Sequence, residues 1–326
     1  MGKCYVGEDL VANDALVSVV MPVYNGMVTV EKAIVSVLRQ TYPYFELIVV
    51  DDASTDASAD LVADFSDKRV RLICHASNLG AGKARNTAID AARGDWIAML
   101  DADDEWKPRR LSYLLNQGVG VTDGVMLADN FMHCYTVKNH LKIWKKQWTN
   151  QQLQFVDGMA ELNLEQYLNL SSLLIKPLIP RHVILEYGMT HGTSAFGEDS
   201  EFFIRLMCQA GLCFKIYEES LYLYRMTPGS MSSRFDRAEL MKKIWQQLLE
   251  DLDFSLEERI LVARRIERLD ADIRYMPFLS GVKSRRWHVV IGTLWKDPWV
   301  LGEFVRRLPG SLPYRMQLFL NRGQGR

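Results

Sequence analysis

The sequence predicts an α/β protein, with a mainly parallel sheet sandwiched by helices over residues 1–235 and a helical C-terminal extension over 236–326. Three observations predict it. From residue 17 to about 104, short β-rich runs alternate with helical segments, which implies parallel strands joined by crossovers with helices on both faces. Polar residues gather where those runs end, at the carboxyl edge where ligands bind in such sheets. From about residue 236 the periodicity is helical.

In order, "VSVVMPVY" and "FELIVVDD" read as strands with "TVEKAIVSVLRQT" as the helix between them. "VRLICHA" and "DWIAMLDADD" read as the next strands, with "GAGKARNTAIDAAR" as the intervening helix. After Pro108, "RRLSYLLNQ" predicts a helix and "GVMLADNFMHCYT" a strand. Residues 137–196 are less regular and include the basic amphipathic segment "KNHLKIWKKQW", which has the pattern of a solvated helix face. "GEDSEFFIRLMCQAG" then predicts a helix with acidic residues in its first turn, and "FKIYEESLYLYRM" a strand. "SLEE", Ser255 to Glu258, is a capping box opening a helix that should run to about Tyr275.

At 326 residues and 48% hydrophobic, the chain can bury a substantial core, which excludes a disordered protein. Its net charge of −1 is unevenly spread: residues 1–280 sum to −8 and residues 281–326 to +7, so the tail should prefer an anionic surface. Five scattered cysteines lack the spacing of a zinc site or a disulfide framework and fit a reducing cytoplasm. The acidic N-terminus is unlike a signal peptide, and no apolar run approaches the ~18–20 residues of a membrane span. No nucleic-acid partner is expected.

"IAMLDADDEW" carries a buried-strand pattern into Asp101, Asp103 and Asp104. Carboxylates crowded at a strand end repel unless a counter-charge is near, and Mg²⁺ or Mn²⁺ characteristically combines one or two carboxylates with nucleotide phosphate oxygens. The cluster therefore points to a diphosphate, although a lone Asp-X-Asp is more often a solvated turn. Tyr24 at a strand end offers a flat face to a base. Asp51-Asp52 by itself would be a turn or cap, and Glu198-Asp199 a pair of charges favouring a helix N-terminus. "NLGAGKARN" is not a phosphate loop of the Walker type, because Ser77 and Ala84 stand where Gly and Ser or Thr are needed.

"VSVVMPVYNG", "LIVVDDASTD", "NLGAGKARNTAI", "GDWIAMLDADDEWKP", "GEDSEFFIRL" and "YRMTPGSMS", in this order, resemble the inverting family 2 glycosyltransferases of the GT-A fold over residues 17 to about 232. The wording around "WKPRRL", "DN" and "LIKPLI" is similar to bacterial exopolysaccharide glucosyltransferases of the succinoglycan type. The resemblance implies that Pro22, Tyr24 and Asn25 flank the nucleotide and that Asp51 accepts the imide N–H of uracil, with Asp52 the alternative. It implies that Gly80, Arg85 and Asn86 shape the nucleotide pocket, and leaves Lys83, where a small residue is usual, without a role. Asp101 is then the ribose contact, Asp103 the ligand of Mn²⁺ or Mg²⁺, Asp104 a supporting carboxylate and Asp199 the general base, with Glu198 its adjacent competitor. Arg225, Ser230 and Ser232 would close over the diphosphate; Thr227 replaces a frequent histidine, so a second ligand from that loop is in doubt.

The activity so implied is metal-dependent transfer of glucose from UDP-glucose to a hydroxyl of a lipid-linked saccharide, with inversion, in exopolysaccharide or cell-surface polysaccharide synthesis. A nucleotidyltransferase would need a glycine-rich loop that "PVYNG" does not supply. A catalytically silent saccharide-binding protein would have no use for Asp103 and Asp199. The tail adds Trp287, Trp295 and Trp299 to its positive charge, a mixture suited to the headgroup boundary of a membrane or to a helical pair packed on the domain. A cytoplasmic protein peripheral to the inner face of the plasma membrane is the expectation.

Overall fold

The computed structural model describes residues 14–306 apart from 119–123, 138–139, 149–152, 171–173, 195–196, 227–236 and 252–253. The first half alternates as expected: β1 (Val17–Val23), α1 (Val30–Leu38), β2 (Phe45–Asp51), α2 (Ser58–Ala63), β3 (Val70–Cys74), α3 (Ala81–Asp90) and β4 (Trp96–Met99). Then come β5 (Glu105–Trp106), α4 (Arg110–Gln117), β6 (Val125–Val137), β7 (His140–Lys146), β8 (Met159–Leu162), α5 (Leu164–Asn169), β9 (Leu178–Pro180), α6 (Arg181–Glu186), α7 (Glu198–Gln209) and β10 (Cys213–Arg225). The extension holds α8 (Arg237–Asp251), α9 (Leu256–Lys283), α10 (Trp287–Lys296) and α11 (Trp299–Arg306).

The strands form one sheet in the order β3-β2-β1-β4-β9-β6-β10-β5, with β7 on β6 and β8 on β10. β1, β2, β3 and β4 pair in parallel, as do β6 and β10, while β9, β5, β7 and β8 run antiparallel to their partners. Every residue of β2 is buried, as a parallel strand covered on both faces requires. Neighbouring β1 residues point to opposite faces, so Val20 joins the core cluster that includes α3 and α7, and Val19 the cluster that includes α1 and α4. Val23 is in register with Asp51, which aligns the carboxyl ends of β1 and β2 at one edge.

The main core continues across residue 235: Trp245 and Leu248 of α8 and Val262 and Leu269 of α9 belong to the same cluster as β4 and α7. Tyr275, Phe278, Val290 and Val300 form a small separate cluster that binds α10 and α11 to the end of α9. Ser255 and Glu258 make the expected capping box, but α9 runs through Pro277 to Lys283, well past Tyr275. Packing explains the extra turns, since Gly281 lies against Val289 and Val290 with no room for a Cβ. "HLKIWKK" is likewise not a helix but β7, paired antiparallel with β6 and exposed along nearly its whole length. Its alternating residues satisfy a strand as well as a helix face, and the long partner strand decides. Cys74, Cys134, Cys208 and Cys213 are free thiols, and among the described residues no helix is long and apolar enough to cross a membrane.

Candidate active site

The site residues converge at the carboxyl edge of β1, β2 and β4. Tyr24 is about half exposed just past β1, with Pro22 partly buried before it. Asn25 adopts φ +50, a left-handed turn that asparagine tolerates. Its N–H donates to Ser54 Oγ at 2.9 Å and its Oδ1 accepts from Thr55 N at 2.8 Å, which ties the loop after β1 to the loop after β2.

The two aspartates after β2 have different surroundings. Asp52 accepts from Leu79 N at 2.9 Å and Gly80 N at 2.7 Å and pairs with His75 Nδ1 at 2.7 Å, so it fastens the start of α3 to β2. Asp51 accepts only from Ser54 N, through Oδ2 at 3.0 Å, and its Oδ1 is buried with no hydrogen-bond partner. A buried acceptor without a donor is costly and suits a ligand N–H. Gly80, at φ +88, is the N-cap of α3. Asn86 braces the loop after α6: it donates to His191 O at 3.0 Å and accepts from His191 N at 2.8 Å.

Arg85 and Lys176 supply most of the counter-charge that the Asp101–Asp104 cluster requires. Arg85 contacts Asp101 Oδ1 at 2.7 Å, Glu198 Oε1 at 2.7 Å and Asp199 Oδ1 at 3.0 Å. Lys176 Nζ lies 2.8 Å from Asp101 Oδ2 and 2.6 Å from Asp199 Oδ2. Burial opposes ionisation of Asp101 and Asp199, yet these cations prevail and hold both carboxyls below the ordinary range. Burial and the Asp199 charge push Glu198 up. His191 is stacked on Phe202 at 4.0 Å between ring centroids, and burial holds it neutral with its pKa pushed down to about 3. Its Nε2 faces Asp199 Oδ1 at 3.6 Å, too far for a hydrogen bond, and is buried without a hydrogen-bond partner, whereas Oδ1 is met by the Arg85 ion pair.

Burial and the neighbouring Asp103 and Asp101 push the Asp104 carboxyl well above the ordinary carboxylate range. Tyr222 OH donates to its Oδ2 and Arg225 N to its Oδ1, each at 2.7 Å. Arg225 also donates through Nε to Asp103 O at 2.8 Å and pairs with Glu105 of β5 and Thr136 of β6, so its fork is engaged within the protein. Ser230, Ser232 and Thr227 lie outside the described residues.

Asp103 is the carboxylate left over. No side chain among the described residues hydrogen-bonds or ion-pairs with it, and burial together with Asp101 raises its pKa to about 6. Such a group fits a divalent cation, which would supply the missing charge. Among the described residues no group of three or more His, Cys, Asp or Glu side chains is arranged to hold a metal, so a cation at Asp103 would draw most ligands from diphosphate and water.

Sequence reasoning missed Lys176, His191 and Tyr222. A lysine within the apolar run "LLIKPLIP" is a signal for Lys176, since lysines are rarely fully buried unless paired. The other two carry no pattern.

Residues 18–127 match the family model of Glycosyl transferase family 2. The chain is 41% identical over 123 residues to the UDP-Glc:alpha-D-GlcNAc-diphosphoundecaprenol beta-1,3-glucosyltransferase WfgD of Escherichia coli, covering 38% of this chain and 46% of that protein. It is 27% identical over 297 residues to the succinoglycan biosynthesis protein ExoO of Rhizobium meliloti, covering 87% of this chain and 82% of that protein. With several other relatives, as with WfgD, the match spans about half of their length or less. Among solved structures, S. aureus TarS 1-349 in complex with UDP-GlcNAc superposes with a TM-score of 0.62 at 20% identity, covering 90% of this chain and 82% of that one, a likeness of fold.

Proposed function

We propose, from the match of residues 18–127 to the Glycosyl transferase family 2 model, that this protein transfers glucose from UDP-glucose to a hydroxyl of a lipid-linked saccharide during polysaccharide assembly. The observation that carries the reading is the convergence at one sheet edge of the unpartnered Asp51 Oδ1, of Asp103, which no side chain among the described residues pairs, and of the ion-paired Asp199. The first suits a base N–H, the second a diphosphate-bound cation and the third a proton acceptor. The likeness to WfgD, a glucosyltransferase acting on a diphosphoundecaprenol-linked sugar, supports the choice of donor and acceptor.

In this reading Asp51 Oδ1 accepts the uracil imide N–H and Tyr24 lies against the ring. Asp101 faces the ribose. Asp103 holds Mn²⁺ or Mg²⁺, which when bound offsets charge on the departing diphosphate. Asp199 takes the proton of the acceptor hydroxyl while that oxygen bonds to the anomeric carbon; the bond from that carbon to the β-phosphate oxygen breaks, UDP leaves, and the configuration inverts.

The basic tail places the enzyme at its acceptor. Trp287, Ile291 and Trp295 recur every four residues along α10 and are 60%, 66% and 86% exposed, while Val290, to one side of this stripe, is buried. Arg285 and Arg286 are exposed just before the helix. An aromatic and aliphatic stripe beside cations suits an anionic lipid surface. The test of the donor reading is a thermal-shift screen of UDP-sugars with Mn²⁺. UDP-glucose should raise the melting temperature more than UDP-galactose or UDP-N-acetylglucosamine, and a larger shift with either of those would replace the donor.

A further inference from the structure

Lys176 sits within the stretch "LIKPLI" leading into β9, where the motifs assign it no role, and is 1% exposed. Its backbone is fixed from below: the wholly buried Arg110 donates through NH2 to Lys176 O at 2.5 Å and through Nε to Asp129 Oδ1 at 2.8 Å. Asp129 Oδ2 in turn takes the N–H groups of Leu221 and Tyr222 at 2.8 and 2.7 Å. A buried ammonium is a costly way to fill space, because it must be stripped of water and matched by charge, and an apolar side chain would pack there without that cost.

What the ammonium matches is specific. Arg85 bridges Oδ1 of Asp101 to Oδ1 of Asp199, and Lys176 bridges Oδ2 of Asp101 to Oδ2 of Asp199. The four groups close a ring of alternating charge that engages both oxygens of both carboxylates. With Arg85 alone each carboxylate could pivot about its bond to Cβ, and the two would repel across the gap that Lys176 fills. One side of the ring is on the nucleotide side of the site, the other is the proposed proton acceptor.

We infer that Lys176 is a positioning residue for sugar transfer: its ammonium closes the ring that sets Asp199 in a fixed place relative to the donor site. The inference rests on the reading of Asp199 as the base. It goes further by assigning a role to a residue in the irregular segment before β9. Holding the base matters at the step in which the acceptor oxygen attacks, so the loss of Lys176 falls chiefly on turnover; nucleotide affinity, which keeps its base and diphosphate contacts and loses only one of the two tethers on the ribose-facing Asp101, falls much less.

The experiment compares wild type, Asp199→Asn, Lys176→Met and Lys176→Arg, with UDP-glucose, Mn²⁺ and a short-chain diphosphate-linked N-acetylglucosamine as acceptor, alongside calorimetric UDP binding. Lys176→Met should lose about 100-fold in kcat, the scale of a misplaced catalytic group. Its donor KM and UDP affinity should change far less than kcat. Lys176→Arg, which keeps the charge in a different shape, should fall between the two in kcat. A Met variant that keeps wild-type kcat, a loss confined to KM, or an Arg variant no better than Met would overturn the inference. If the Met variant does not fold, the Arg variant decides: lowered kcat at unchanged KM supports the role, and wild-type kcat refutes it. Equal rates for wild type and Asp199→Asn would instead remove the reading of Asp199 as base, and with it the inference, before any Lys176 variant is measured.

Discussion

Asp103 carries a charge that the fold does not answer. Its pKa is raised to about 6 by burial and by Asp101, against an ordinary 3.8. A carboxyl whose folded pKa lies above its unfolded one favours the folded state while protonated, and that contribution is lost as pH rises from about 4 through about 6. Asp103→Asn should therefore raise the melting temperature of metal-free protein at pH 8 and leave it unchanged at pH 3, as read by calorimetry. The same variant should lose Mn²⁺-dependent UDP binding, and unchanged affinity would show that the cation is held elsewhere. Asp51→Asn turns the facing acceptor into a group that can present a donor, so UDP affinity should fall about tenfold or more, the scale of one unpaired buried polar group. At this scale the aspartates were legible because each sits at the end of an apolar run, where a charge is conspicuous. Lys176 and His191 were not: Lys176 meets Asp199 from 23 residues away and His191 bonds to Asn86 from 105 residues away, contacts that only the fold makes.

At the scale of elements, the glycines of "NLGAGK" serve packing. A Cβ on Gly82 would come within 2.3 Å of Gly192 O and 3.4 Å of His191 Cβ, so the first turn of α3 touches the loop that carries His191. Gly82→Ala must push that backbone away and should cost about 1–3 kcal/mol, the usual range for overpacking. Chemical denaturation measures it, and a wild-type midpoint would show that the loop yields freely. The alternation of β1 to β4 and the cap of α9 could be read from the sequence, since hydrophobic period and capping are local. β7 could not, because a basic amphipathic stretch becomes a strand only when the edge of β6 is there to pair with it. Nor could the passage of α9 through Pro277, which depends on the packing of α10 against Gly281.

For the whole molecule, the proposed account needs the enzyme to meet a donor from solution and an acceptor confined to a bilayer. The stripe of Trp287, Ile291 and Trp295 on α10 should carry the second task, and changing all three to Ser should reduce sedimentation with anionic liposomes while leaving UDP binding intact. High salt should release the unaltered protein, because polybasic attraction of about 1 kcal/mol per residue is screened. Equal sedimentation of the two proteins would mean that α10 only packs on the rest of the chain. The central claim is tested most directly by incubating the protein and its Asp199→Asn variant with UDP-glucose, Mn²⁺ and the diphosphate-linked acceptor, and determining the product by NMR. The account predicts a β-linked glucoside from the unaltered protein, and from the variant turnover reduced by about 10²–10⁴-fold with UDP affinity preserved. An α-linked product, or an Asp199→Asn variant as active as the unaltered protein, would contradict it.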